Sequence, residues 1–324
     1  MNCTASLTKS LQRLVSRIRM WRAGIPEHAA LVSVLPGRLA VAPTRPLPLS
    51  VRDDDHERVT IQAERWQQTA GEASLWEAGS APGSGNAYAL AGQMASAGEQ
   101  LALARAAGIE AAMWREFREN REFDTADEMS MRAMAEAQLL FVIGTGHALA
   151  NVAVRALVLD PKLKTDLITR FTTRRATPTF DPTSDAPADW VSMNRPTCER
   201  IRAVASAAAQ EVIDLVAPVV AIGTGRCWKD LVARRGEDFH RWRPQSHGME
   251  GVPRTQPWTV QGNVWSIDVG HPNYADARGL ANEAARLADA GMFELARSME
   301  AFIDRWPSAS CRLGGPRFAA PPGE

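Results

Sequence analysis

Apolar residues recur at helical spacing over most of the chain, and the strict alternation of a half-buried strand is nearly absent. Residues 6–22 place Leu7, Leu11, Leu14, Val15, Ile18 and Trp21 on one face of a basic amphipathic helix. A helix over 52–78 opens on Arg52-Asp53-Asp54-Asp55, where acids suit the positive end of the helix dipole. Val59, Ile61, Trp66 and Trp76 give it an imperfect apolar stripe. After the turn-rich residues 79–86, a helix over Ala87–Asn120 is expected, broken near Gly108. Its charged end, Arg115 to Glu122, pairs opposite charges three and four apart and reads as a solvated face.

Thr125-Ala126-Asp127-Glu128 is a capping box. It opens a long helix that Asp160-Pro161 should stop near Leu159. A helix over Lys162–Arg175 follows, then an irregular stretch over 176–194. Asn194-Arg195-Pro196 carries a cap residue and a first-turn proline. It predicts one helix to about Arg234, kinked at Pro218, burying Ile201, Val204, Val212, Leu215 and Val219. One short hairpin is expected within 252–267. Asn273-Tyr274-Ala275-Asp276 should cap a last helix with the stripe Leu280, Ala284, Leu287, Gly291, Leu295, Met299, Phe302 and Trp306.

The pattern is all-α: a helical bundle of about six long helices with long irregular loops. Residues 1–50 form a basic, proline-rich extension, or a stretch upstream of the folded protein. Residues 51–306 form the bundle domain, and 307–324 a disordered tail with Gly314-Gly315-Pro316.

Composition narrows the function. The 324 residues carry 37 basic and 37 acidic side chains, so net charge is zero and no global attraction draws the chain to nucleic acid. Any such contact must come from a local cluster. Cys3, Cys198, Cys227 and Cys311 form no CxxC pair, which argues against a zinc ribbon and against a secreted disulfide framework. A cytoplasmic protein with no cofactor is expected. No uninterrupted apolar run reaches the eighteen or so residues of a membrane span, since Leu139-Leu140-Phe141-Val142-Ile143 is stopped by Gly144-Thr145-Gly146-His147.

That Gly-x-Gly lacks the third small residue of a dinucleotide loop, Leu149 standing in its place, and no βα alternation surrounds it. Close helix packing explains it better, and Ile222-Gly223-Thr224-Gly225 repeats the tetrapeptide. His147, on an apolar helix, reads as a hydrogen-bonded core histidine. Arg226 and Lys229 beside Cys227 would favour its thiolate.

Chemistry concentrates in residues 233–247, at the expected end of the long helix. Six of these residues are arginine or histidine: Arg234, Arg235, His240, Arg241, Arg243 and His247. Arginine offers a permanent planar charge to phosphate oxygens, and histidine carries protons near neutral pH. RNA supplies its own nucleophile, so Arg235 as phosphate stabiliser and His240 as general acid/base would suffice for metal-free cleavage. Arg234, Arg241 and Arg243 would contact backbone phosphates, and Trp242 would stack on an unpaired base.

Arg235-Gly236-Glu237-Asp238-Phe239-His240 resembles the Arg-x4–6-His motif of HEPN-domain proteins, and Arg234 to His240 fits the same spacing. The resemblance covers this motif and the all-helical pattern. It implies a helical bundle, a metal-independent ribonuclease of the toxin–antitoxin or phage-defence type, a homodimer with two motifs facing one cleft, and an antitoxin partner. Gly236 stands where that family often has a polar residue.

Two other readings compete. His240, His247 and His271 with Glu237 or Asp238 are chemically adequate for zinc or iron, but no pair has the spacing of ligands on one helical turn. Alternatively the cluster is structural: arginines favour a helix C-terminus, and the acids pair with Arg234 or Arg241. The chain is then a non-catalytic helical interaction or oligomerisation protein.

Overall fold

The computed structural model of the chain describes residues 48–79, 85–118, 125–172, 179–184, 189–240, 255–260, 263–268 and 277–313. The chain divides into residues 1–52 and 53–324. Of the first unit only 48–52 are described, with a single 3-10 turn over Leu49–Val51. The amphipathic pattern over 6–22 lies outside the described residues, as do most of loop 79–86 and the Asn273–Asp276 cap.

Among the described residues the second unit is helical apart from one hairpin and short irregular stretches. Its described residues form eight α-helices: α1 Asp54–Gly79, α2 Gly85–Arg118, α3 Thr125–Leu157, α4 Pro161–Phe171, α5 Arg195–Ala205, α6 Gln210–Thr224, α7 Arg226–His240 and α8 Ala277–Leu313. The hairpin pairs β1 Thr255–Val260 with β2 Asn263–Asp268, antiparallel, with Trp258 opposite Trp265.

α3 is the centre of the unit and packs on α2, α4, α5, α6, α7 and α8. Its stretch Ser130–Leu157 is long and apolar enough to cross a membrane, contrary to the expectation from uninterrupted runs, yet most of it is buried by neighbouring helices. α1 and α8 run parallel: Asp55 pairs with Arg297, and ten residues on Arg65 pairs with Asp304. Between them Trp66 is fully buried, its indole N–H donating to the Met299 carbonyl at 3.1 Å and its ring tilted on Phe302. Burying a side chain of this size contributes about 2–3 kcal/mol, so this seam is a main anchor of the bundle. Ile61, expected on the same stripe, is half exposed. Two residues from Val59 it stands about 200° round the helix, so the two cannot share a face.

The glycines mark close approaches. A Cβ on Gly108 would meet the Gln138 amide at 2.5 Å, so α2 is continuous there rather than broken. One on Gly144 would meet Gln100 at 2.8 Å, one on Gly146 the Trp228 ring, and one on Gly223 the Cys198 sulfur. Close packing is therefore what both Gly-x-Gly tetrapeptides provide at their first glycine. Gly225 instead sits at the break between α6 and α7, its N–H bonded to the Ile222 carbonyl at 2.8 Å.

Two expectations need correction. The single helix over 195–234 is three helices. Asn194 caps the first as expected, accepting from Thr197 N–H at 2.8 Å. The chain then turns at Ser206–Ala209, where the N–H groups of Ala207 and Ala208 close tight turns onto Val204 and Ala205. α6 passes through Pro218 as one helix. This split raises the helix number from six to eight. The last helix, moreover, does not stop at Trp306. It passes Pro307 and runs to Leu313, because Trp306, Ala309, Ser310 and Leu313 continue its buried face.

Candidate functional site

α7 carries the arginine–histidine cluster. Its buried stripe runs Trp228, Leu231 and Arg234, three residues apart. Leu231 packs in the room that Gly291 of α8 leaves, with Val142 of α3 beside the same glycine. Arg234 therefore points at the protein rather than at solvent. Its Nη1 bonds Glu283 Oε2 of α8 at 3.2 Å, with Arg234 almost fully buried and Glu283 half exposed. A guanidinium held this way is a strut between α7 and α8.

Arg235 is partly buried. It is near enough to His147 of α3 to disfavour a proton there. His240 is the last residue of α7. His240 lies five positions after Arg235, so their Cα atoms stand about 140° apart around one helix axis. His240 stands about 180° from Leu231 by the same geometry. The side chains of Glu237 to His240 lie outside the described residues. So do Arg241, Trp242 and Arg243 altogether, and the further metal candidates His247 and His271. Among the described residues no group of three or more His, Cys, Asp or Glu could hold a metal ion. The Cys227 thiol is not activated: burial, with Glu294 and Asp230 nearby, pushes it up to about 11.

The structure assembles a different constellation, on α3 and α7 around residues 189–193. His147, Asn151 and Arg155 stand four apart on α3, one above the other. Asn151 Nδ2 donates to the Val191 carbonyl at 2.8 Å, and Val191 N–H donates to Asn151 Oδ1 at 3.1 Å. Met193 N–H donates to His147 Nδ1 at 2.9 Å. From α7, Trp228 Nε1–H donates to the Met193 carbonyl at 3.0 Å. Arg155 braces the set, giving Nη1–H to Asn151 Oδ1 at 2.8 Å and Nη2–H to the Ser184 carbonyl at 3.2 Å. Asp189 accepts from Asp181 N–H at 2.8 Å and ties the start of the segment to residues 179–184.

Side chains thus take the place of a neighbouring strand. Asp189, Val191 and Met193 are buried, while Trp190 and Ser192 between them are exposed. Four backbone groups, those of Val191 and Met193, are satisfied on the inner edge. On the outer edge the backbones of Trp190 and Ser192 bond to none of the described residues. Trp190 is 48% exposed, on a segment this firmly held.

The electrostatics fit a structural clamp. His147 is held down to about 4, by burial first and by Arg235 second. It is therefore neutral at pH 7, with Nδ1 free to accept and the proton on Nε2. Its ring meets Trp228 edge-on at 5.7 Å, over the space Gly146 leaves. The core-histidine expectation for His147 matches this bonding. Sequence reading missed Asn151, Arg155, Trp228 and Trp190. The available signal was three polar residues at i, i+4 and i+8 in the mostly apolar second half of α3.

No family model, curated protein or solved structure matches this chain.

Proposed function

We propose that this chain is a helical interaction protein whose docking element is the exposed edge of residues 189–193. The observation that carries this reading is the rigidly clamped Trp190. A large aromatic left half exposed on an immobilised backbone already bears the ordering cost that a binding partner would otherwise meet. Tryptophan is also the residue type most enriched among those that dominate binding energy. Arg234 supports the same reading, since Glu283 already engages it. Metal-free RNA cleavage by Arg235 and His240 rests on the sequence pattern alone.

The test is site-specific photocrosslinking in cells. Benzoylphenylalanine replaces Trp190 in one version and the exposed Thr169 of α4 in another. A discrete protein adduct from position 190 and none from 169 is expected. A nucleic-acid adduct at 190, or no adduct, would overturn the reading.

A further inference from the structure

We propose that Asp289 of α8 is a proton-binding site, its neutral carboxyl paired with the Gln138 amide across the seam between α3 and α8. The pair forms a pH-responsive latch within the bundle, and it does not rest on the docking reading above.

The geometry starts from an amide with one half unused. Gln138 is fully buried on α3, among Ala135, Leu139 and Val142. Its Nε2–H donates to Asp289 Oδ1 at 2.6 Å, while its Oε1 accepts from none of the described residues. A buried carbonyl without a donor is costly. The amide has no room to swing towards α2 either, since it lies against Gly108, where a Cβ would meet Nε2 at 2.5 Å and Oε1 at 3.2 Å.

A proton on Asp289 supplies the missing donor. A carboxylic acid can accept the amide N–H on one oxygen and return an O–H from the other to the amide carbonyl. An ionised carboxylate only accepts, so without the proton the Gln138 carbonyl stays unpaired. No ion pair offsets a charge here, for Asp289 makes none with the described residues. On α1, Asp53 takes up His56 Nδ1 at 2.7 Å, and the His56 ring meets Phe293 edge-on, one turn beyond Asp289 on α8.

The electrostatics act in the same direction. Burial lifts the Asp289 carboxyl above its ordinary 3.8. The Gln138 N–H, His56 of α1 and Arg115 of α2 oppose the lift, and Asp53 of α1 adds to it. The folded chain therefore keeps a proton that the unfolded chain has already released. The stability this contributes is fully present below about pH 3.8 and is lost as pH rises through the folded-state value, the opposite of His147. Releasing the proton leaves a buried charge beside an unpaired carbonyl and loosens the seam.

A pH titration of the full chain, carrying isotope-labelled aspartate and read by NMR at the Asp289 carboxyl carbon, tests this. The resonance is assigned through the backbone, so the reading does not depend on any variant folding. Its midpoint should lie above the ordinary 3.8. In parallel, Asp289→Asn places a permanent N–H opposite the Gln138 carbonyl and mimics the neutral acid. Its urea midpoint should match the wild type at acid pH and exceed it by a growing margin as pH rises. Asp289 titrating at or below 3.8 would overturn the proposal. So would an Asp289→Asn midpoint displaced from the wild type by the same amount at every pH.

Discussion

Asn151, on the central helix, holds both backbone groups of Val191, forty residues further along the chain. Its carboxamide accepts from the Val191 N–H and donates to the Val191 carbonyl, the two bonds a neighbouring strand would have supplied. One side chain thereby fixes the backbone of 189–193 against α3, and Trp190 is exposed as a consequence.

Asn151→Ala should remove both bonds and leave the buried Val191 N–H and C=O unpaired. An unsatisfied buried polar group costs about 1–3 kcal/mol, so a loss of about 2–4 kcal/mol in urea unfolding is expected. Asn151→Asp keeps the acceptor, loses the donor, and retains a partner for Arg155. It should lose less. Equal stability of wild type and Asn151→Ala would show that the clamp is not a real constraint.

The clamp also predicts a pH dependence. His147 titrates at about 4 in the folded chain, below its ordinary 6.5. Between these values the unfolded state binds a proton that the folded state refuses. The stability from neutral His147 is thus fully present above about pH 6.5 and is lost progressively as pH falls toward 4. The full effect is about 3 kcal/mol. His147→Asn should flatten the wild-type slope across that window, read as the difference between two urea-midpoint profiles. Parallel profiles would contradict the assignment.

Two glycines on helices separate packing from propensity. Gly146→Ala would push a methyl group into the Trp228 ring and should cost about 1–3 kcal/mol, as overpacked cores do. Gly236→Ala meets nothing within 4 Å and should stabilise α7 by up to about 1 kcal/mol through helix propensity. Thermal midpoints of the two variants should move in opposite directions.

The helical pattern was legible in the sequence because periodicity and caps are local. Asn194, the 52–78 helix and the short hairpin are found close to where the residues pointed. The split of 195–240 was not legible. Ser206-Ala207-Ala208-Ala209 is a good helix former, and only packing bends the chain there. The arginine cluster drew attention through side-chain chemistry, but helix phase decides what a side chain meets. Arg234 shares the stripe of Trp228 and Leu231, which turns a phosphate ligand in prospect into an ion pair with Glu283. The clamp stayed hidden because its two halves lie forty residues apart.

Overexpression separates the interaction reading from RNA cleavage. Wild type and His240→Ala should leave host growth equally unaffected. Growth arrest by the wild type, relieved by His240→Ala, would restore the ribonuclease reading. Arg234→Ala should instead destabilise the fold by about 1–3 kcal/mol, through loss of a charge-assisted bond at a buried site.

Amide hydrogen exchange tests the clamped open edge most directly. Val191 and Met193 amides should exchange slowly, because Asn151 and His147 accept from them, while Trp190 and Ser192 amides between them should exchange near the rate of an unstructured peptide. Uniformly fast exchange across 189–193, or slow exchange at Trp190 and Ser192, would contradict it.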